Sequence, residues 1–209
     1  MKRRAVLVAS ALLPLLAACD PNAPDKRALA SALTAELLGR PPCFATNVAF
    51  PYTRQDTVRP TDDLLRSLPE LAALRDAGLI DLQLKEVGIA GNRPVVQTAA
   101  TLTELGKSAF HPHLPGLMTA TPGFCGGQRM LGEVQQFTMP SDSEGHRVTS
   151  VDFTYRTQSI PPWMHHPRLQ GYYVSVRNMV AAEKEAASDQ TLFVQTPKGW
   201  LPWNRVGSQ

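Results

Sequence analysis

Apolar positions divide this chain into one continuous run followed by short periodic stretches. Residues 5–18, AVLVASALLPLLAA, form an almost unbroken apolar segment behind Lys2, Arg3 and Arg4. At roughly 1.5 Å per helical residue such a run spans about 21 Å, short of the ~30 Å of a bilayer core. That length predicts the core of a signal peptide rather than a membrane-spanning helix. Residues 20–26, DPNAPDK, are polar and proline-bearing and read as a tether. Leu29, Ala32, Leu33 and Leu37 then recur at helical spacing until Gly39 and Pro41, predicting a helix over 27–38. Glu36 falls inside that apolar stripe, against the pattern.

Over 59–80, Thr61-Asp62-Asp63 marks a helix start, and Pro69 forbids one uninterrupted helix. Ser67 and Glu70 have the spacing of a capping box, so Pro69 is expected in the first turn of a second helix that ends at Gly78. Residues 81–87 and 94–100 alternate loosely around Gly88-Ile89-Ala90-Gly91-Asn92, which predicts a β-hairpin. The proline- and glycine-rich stretch 111–127 reads as a connector. Residues 128–139 and 146–158 are expected as two strands, 168–187 as one long helix, and 191–196 with 200–203 as a closing hairpin. The predicted fold class is α+β: an N-terminal helical lobe with a small hairpin (27–110), the connector, and a C-terminal β-β-α-β-β lobe (128–206) in which the helix covers the sheet.

Two resemblances attach to particular residues. Leu16-Ala17-Ala18-Cys19 resembles the lipobox of bacterial lipoproteins. The resemblance implies cleavage before Cys19, a diacylglycerol (with further acylation, palmitate included) on Cys19, and a mature protein tethered to a membrane facing the periplasm. Several acyl chains hold firmly where one does not, because each buried methylene contributes about 0.8 kcal/mol. Asp20 directly after the cysteine resembles the enteric signal for retention in the inner membrane rather than transfer to the outer one. The string over 59–110, with L-x-x-L-x-x-A-G-L-I, a hairpin and then L-T-x-x-G, is loosely similar to winged-helix domains. That implies a helix pair packed on a small wing. DNA binding does not carry over, since the second helix holds only Arg75 as a basic residue.

Charge supports this exclusion. The chain has 21 basic and 18 acidic residues, a net +3. Lys2, Arg3 and Arg4 of the leader account for the whole excess, so residues 19–209 are formally neutral and offer no net field to nucleic acid or anionic lipid. With Cys19 assigned to lipid, Cys43 and Cys125 remain as a pair in an oxidising compartment, and a disulfide between them is expected. Closing so long a loop corresponds to roughly 4 to 5 kcal/mol in the chain-entropy model. A zinc site with nearby histidines, or two buried thiols, are the alternatives.

No G-x-S-x-G elbow, H-E-x-x-H, Cys-x-x-Cys or phosphate-cradling glycine motif occurs in the sequence. His111, His113, His165 and His166 lie in two loops, where solvated side chains are the ordinary explanation and a metal site the sharper one. Trp163, Tyr172, Tyr173, Trp200 and Trp203 cluster near the end of the sequence. They either line a binding groove or pack the core of the last lobe. The expectation is a lipid-anchored accessory protein of the cell envelope, without cofactor, metal or catalytic role, that binds an envelope protein partner. The rival is a periplasmic ligand-binding or enzymatic lobe built on the C-terminal aromatics.

Overall fold

The computed structural model describes residues 23–58, 64–115 and 119–205. Cys19, the leader, most of the tether and Thr61-Asp62-Asp63 lie outside the described residues. The fold is mixed α+β. Helix α1 (Lys26–Leu38) leads to a short strand β1 (Cys43–Ala45) and then β2 (Tyr52–Thr57), α2 (Leu64–Ser67) and α3 (Pro69–Asp76). Strands β3 (Ile80–Ala90) and β4 (Arg93–Leu102) follow, then α4 (Glu104–Ala109), β5 (Phe110–His111) and β6 (Gly123–Cys125). The last part is β7 (Gln128–Phe137), β8 (Ser141–Ser143), β9 (His146–Gln158), a 3-10 turn (Pro162–His165), α5 (Pro167–Tyr172), α6 (Val174–Ala181), β10 (Ala187–Thr196) and β11 (Gly199–Pro202).

Among the described residues three antiparallel sheets result, ordered β1-β6-β5, β2-β4-β3 and β11-β10-β9-β7, with β8 paired to β9. The helices are not distributed as the sequence suggests. The helix that covers the large sheet is α1: Leu29, Leu33 and Leu37 pack with Val134, Val151, Phe153, Phe193 and Trp200 in one core. The segment expected to do this, 168–187, is two short helices broken at Tyr173, followed by turns and the start of β10. Its Leu169, Val176 and Met179 join Leu71 and Leu74 of α3 in the other core. The boundary drawn at 111–127 is therefore crossed in both directions. The physical reason is that periodicity shows which face of a helix is apolar, never which surface it meets.

Residues 44–124 thus form an insertion between α1 and the sheet it covers. Its entry and exit strands pair directly, Cys43 opposite Cys125, and carry the expected disulfide. The bond closes the neck of the insertion and spans 82 residues of sequence.

Local details follow the residues. The α3 helix ends in a Schellman arrangement, Leu79 N–H on Leu74 C=O (3.0 Å) and Gly78 N–H on Arg75 C=O (2.8 Å), with Gly78 at φ +76°. Pro69 does open α3. The capping box does not form: Ser67 Oγ donates back to Leu64 C=O, and Glu70 is used elsewhere. The hairpin turn is the two-residue Gly91-Asn92, tighter than expected, so β3 runs on past a bulge between Glu86 and Gly88. Among the described residues no helix is long and apolar enough to cross a membrane, which says nothing of strands.

Candidate functional site: a groove at the seam

The returning segment 160–181 meets α3 and α4 along a seam held by polar contacts at two points. At the buried end, Oε1 of Glu70 accepts hydrogen bonds from Tyr173 OH (2.6 Å), Thr46 Oγ1 (2.8 Å) and Asn47 N–H (3.0 Å). Two separate stretches of chain converge there on one oxygen of a third. Burial, and next the hydrogen bond to Glu70, push the Tyr173 phenol far above its usual range. At the open end, Asp76 takes Arg168 Nη1 on Oδ2 (2.6 Å), and Arg75 Nε and Nη2 on Oδ1 (2.9 and 2.6 Å). The Arg168 hydrogen bond, against partial burial and with help from Arg75, holds the Asp76 carboxyl below its ordinary value.

Beside this ion pair lies an open groove of about 410 Å³. Its apolar lining is Ala77, Leu105, Pro162 and Trp163; its polar lining is Asp76, His165 and His166. Leu105 is 44 % exposed, a large apolar side chain left in water. It is brought there by α4, whose close approach depends on Gly106: a Cβ at that position would fall 1.9 Å from the Leu79 carbonyl oxygen. Thr103 caps α4, its Oγ1 accepting from Gly106 N–H (2.9 Å). His165 Nε2 lies 3.3 Å from Glu183 Oε2. Nδ1 of His166 is buried with no partner.

The five aromatic residues singled out in the sequence do not line one groove. Trp163 and Tyr173 are buried in the core that α3 shares with 160–181, beside Phe44, with ring centroids 6.1 and 4.4 Å from it. Tyr172 packs edge-on against Tyr173 and is partly exposed. Trp200 belongs to the core between α1 and the large sheet, and Trp203 meets His146 at a separate surface. Only Trp163 reaches the seam groove. Of the four histidines, His165 and His166 line it and His111 and His113 do not. Among the described residues, no group of three or more His, Cys, Asp or Glu is placed to hold a metal ion. Asp76, Leu105 and Arg168 were missed by sequence reasoning.

No family model matches the chain, and no curated protein and no solved structure matches it significantly.

Proposed function

We propose that this protein is a lipid-anchored accessory protein of the bacterial cell envelope that acts by binding a protein partner at the seam groove. The groove is the observation that carries the reading: open, the size of a recognition pocket, and floored by an apolar side chain that its own fold leaves uncovered. The anchoring half of the proposal is supported by the sequence pattern ending at Cys19, and the disulfide is consistent with an oxidising compartment. In this reading Cys19 carries the lipid, and Asp20 keeps the protein in the inner membrane, facing the periplasm. The described body starts close behind the anchor: Pro24 is already buried, so five Cα steps give a reach of about 18 Å at most. The partner is then a membrane protein or one held near the membrane.

The β2–β4 unit is proposed as winged-helix-like, supported by its strand order β2-β4-β3 with α2 and α3 placed between β2 and β3. Its one basic residue in the second helix, Arg75, is engaged by Asp76, which favours a protein over a nucleic acid as partner. A photo-crosslinker placed at 105 or 165 in native membranes is expected to trap the same protein from both positions. The same group at the exposed Glu133, on the distant sheet, traps nothing. Recovery of monomer alone from 105 and 165, in cells where fractionation finds the protein in membranes and Cys19→Ser releases it, sinks the binding proposal.

A further inference from the structure

We infer that the outer edge of β3 is a self-association surface, on which a second copy of this chain pairs its own β3 antiparallel about a two-fold axis at Gln83. None of the residues involved lines the seam groove. β3 is an outer strand of the sheet β2-β4-β3, and every residue in it except Ile80 and Leu82 is exposed. Among the described residues nothing hydrogen-bonds to its outer backbone edge. Such an edge presents N–H and C=O groups that another extended backbone satisfies. The ladder to β4 is regular from Ile80 to Glu86, so side chains alternate strictly between the two faces until the bulge.

The charges name the occupant. Asp81 and Lys85 share one face of the sheet with Gln83, and among the described residues neither has an ion-pair partner. At ~3.3 Å per residue they stand about 13 Å apart, too far to pair with each other. Across the ladder they meet Thr101 and Gln97, both uncharged. Opposed side chains of an antiparallel pair lie on one face, so a two-fold axis joining two copies of this regular segment runs through a residue. Placed at Gln83, the axis sets each Asp81 opposite the second copy's Lys85. On the other face it sets Leu84, 43 % exposed, opposite the second copy's Leu82. Moved to Lys85, it brings like charges together; moved to Leu82 or Leu84, it leaves both ion pairs unmade. The complementarity is that of the segment with itself, and the pairing joins two three-stranded sheets into one continuous sheet.

The test introduces Gln83→Cys into the full-length chain in native membranes, oxidises mildly with copper–phenanthroline and reads non-reducing electrophoresis. Position 83 then faces its own copy as Cys43 faces Cys125, a directly opposed pair that is already bridged in this chain, so a disulfide-linked dimer is expected. Glu133→Cys, on the distant sheet, is expected to give only the background of random collision. Added to Gln83→Cys, either Lys85→Asp or Asp81→Lys is expected to cut the dimer roughly tenfold, because two attractive cross-strand pairs become two repulsive ones. Both swaps together restore it, with the charges exchanged in the same register. No dimer from position 83, an equal yield from position 133, single swaps without effect, or a double swap that restores nothing would each overturn the inference. So would a linked band from position 83 that holds a different protein, which would make the edge a docking strand for a foreign chain.

Discussion

Each core of this molecule contains one buried glutamate, and the two are satisfied by opposite means. Glu36, in the α1 stripe, is 7 % exposed and is met by two guanidiniums and an amide: Arg205 Nε at 2.6 Å on Oε2, Arg40 Nε at 2.6 Å and Asn204 Nδ2 at 3.0 Å on Oε1. Glu70, in the seam, is met on Oε1 by a phenol, an alcohol and a backbone amide, all formally neutral. The first arrangement joins the end of α1 to the 3-10 turn Trp203–Arg205 at the rim of the core between α1 and the large sheet. The second ties three remote segments together inside an aromatic core of Phe44, Phe124, Trp163 and Tyr173. A carboxyl group that a single core helix must bury is offset by charge. One that organises an insertion is offset by geometry.

The largest effects come from asking whether the two cores melt as one. Phe44→Ala removes a ring that touches Phe124, Trp163 and Tyr173 and is expected to cost about 3–5 kcal/mol; Leu33→Ala in the other core is expected to cost about 2–5 kcal/mol. Because 160–181 leaves the large sheet to pack on the insertion, and α1 packs on a sheet that follows it by ninety positions or more of sequence (about 100 from Leu33 to Val134), both variants should lower one shared transition. Calorimetry that splits into two transitions in either variant would show the cores to be independent and the comparison to be between two domains.

How legible this was in the sequence depends on whether the signal is local. Helix α1, the opening of α3 at Pro69, the β3–β4 hairpin and the disulfide were all readable, because spacing, turn residues and cysteine parity are local or purely combinatorial. The destination of each helix was not. Leu29, Leu33 and Leu37 fit either surface, and Tyr173 sits in a stripe that ignores the backbone break it occupies. Glu36 in the apolar stripe was the one visible sign of a remote cationic partner, and Arg205 lies far along the chain. The groove was the least readable feature: Asp76, Leu105 and His166 come from three separate segments and share no spacing. The aromatic cluster near the C-terminus misled because Trp163 and Tyr173 went to one core, Trp200 to the other, and Trp203 to the surface.

The next largest effect separates the glutamates by pH. Burial alone would raise the Glu36 carboxyl, but hydrogen bonds from Arg205 and Asn204 and the charges of Arg40 and Arg205 more than reverse this, so its folded pKa lies below 4.5. A carboxyl depressed in the folded state adds stability that is complete above its unfolded value and lost as pH falls through the folded one. Glu36→Gln is therefore expected to cost about 1–3 kcal/mol at pH 7, where charge-assisted hydrogen bonds are lost. The gap to wild type should close as the medium is acidified below about pH 4.5. Part of the acid sensitivity survives in the variant, because Asp76 is depressed in the same direction by Arg168. Denaturant titrations at pH 7 and pH 3 measure the two gaps; equal gaps would show that Glu36 does not act through its charge.

The smallest effect falls on the neutral network. Tyr173→Phe keeps the ring against Phe44 and removes one of three donors to Glu70 Oε1, leaving Thr46 and Asn47 in place. One hydrogen bond is worth about 0.5–1.5 kcal/mol net, and the acceptor stays satisfied, so a loss of about 1 kcal/mol is expected at neutral pH. The pH signature is opposite to that of Glu36. The Tyr173 phenol is raised by burial and by Glu70, so the stability it adds is complete below the ordinary tyrosine range near 10 and declines only as pH rises through the higher folded value. Between pH 7 and pH 3 its proton is bound in both folded and unfolded states and adds no slope. The coupling itself is isolated by a cycle with Glu70→Gln, in which the Tyr173→Phe cost should shrink once the carboxylate is gone. If Tyr173→Phe costs as much with glutamine at 70 as with glutamate, the phenol matters for packing alone, and the seam is held by its aromatic rings without the hydrogen bond to Glu70.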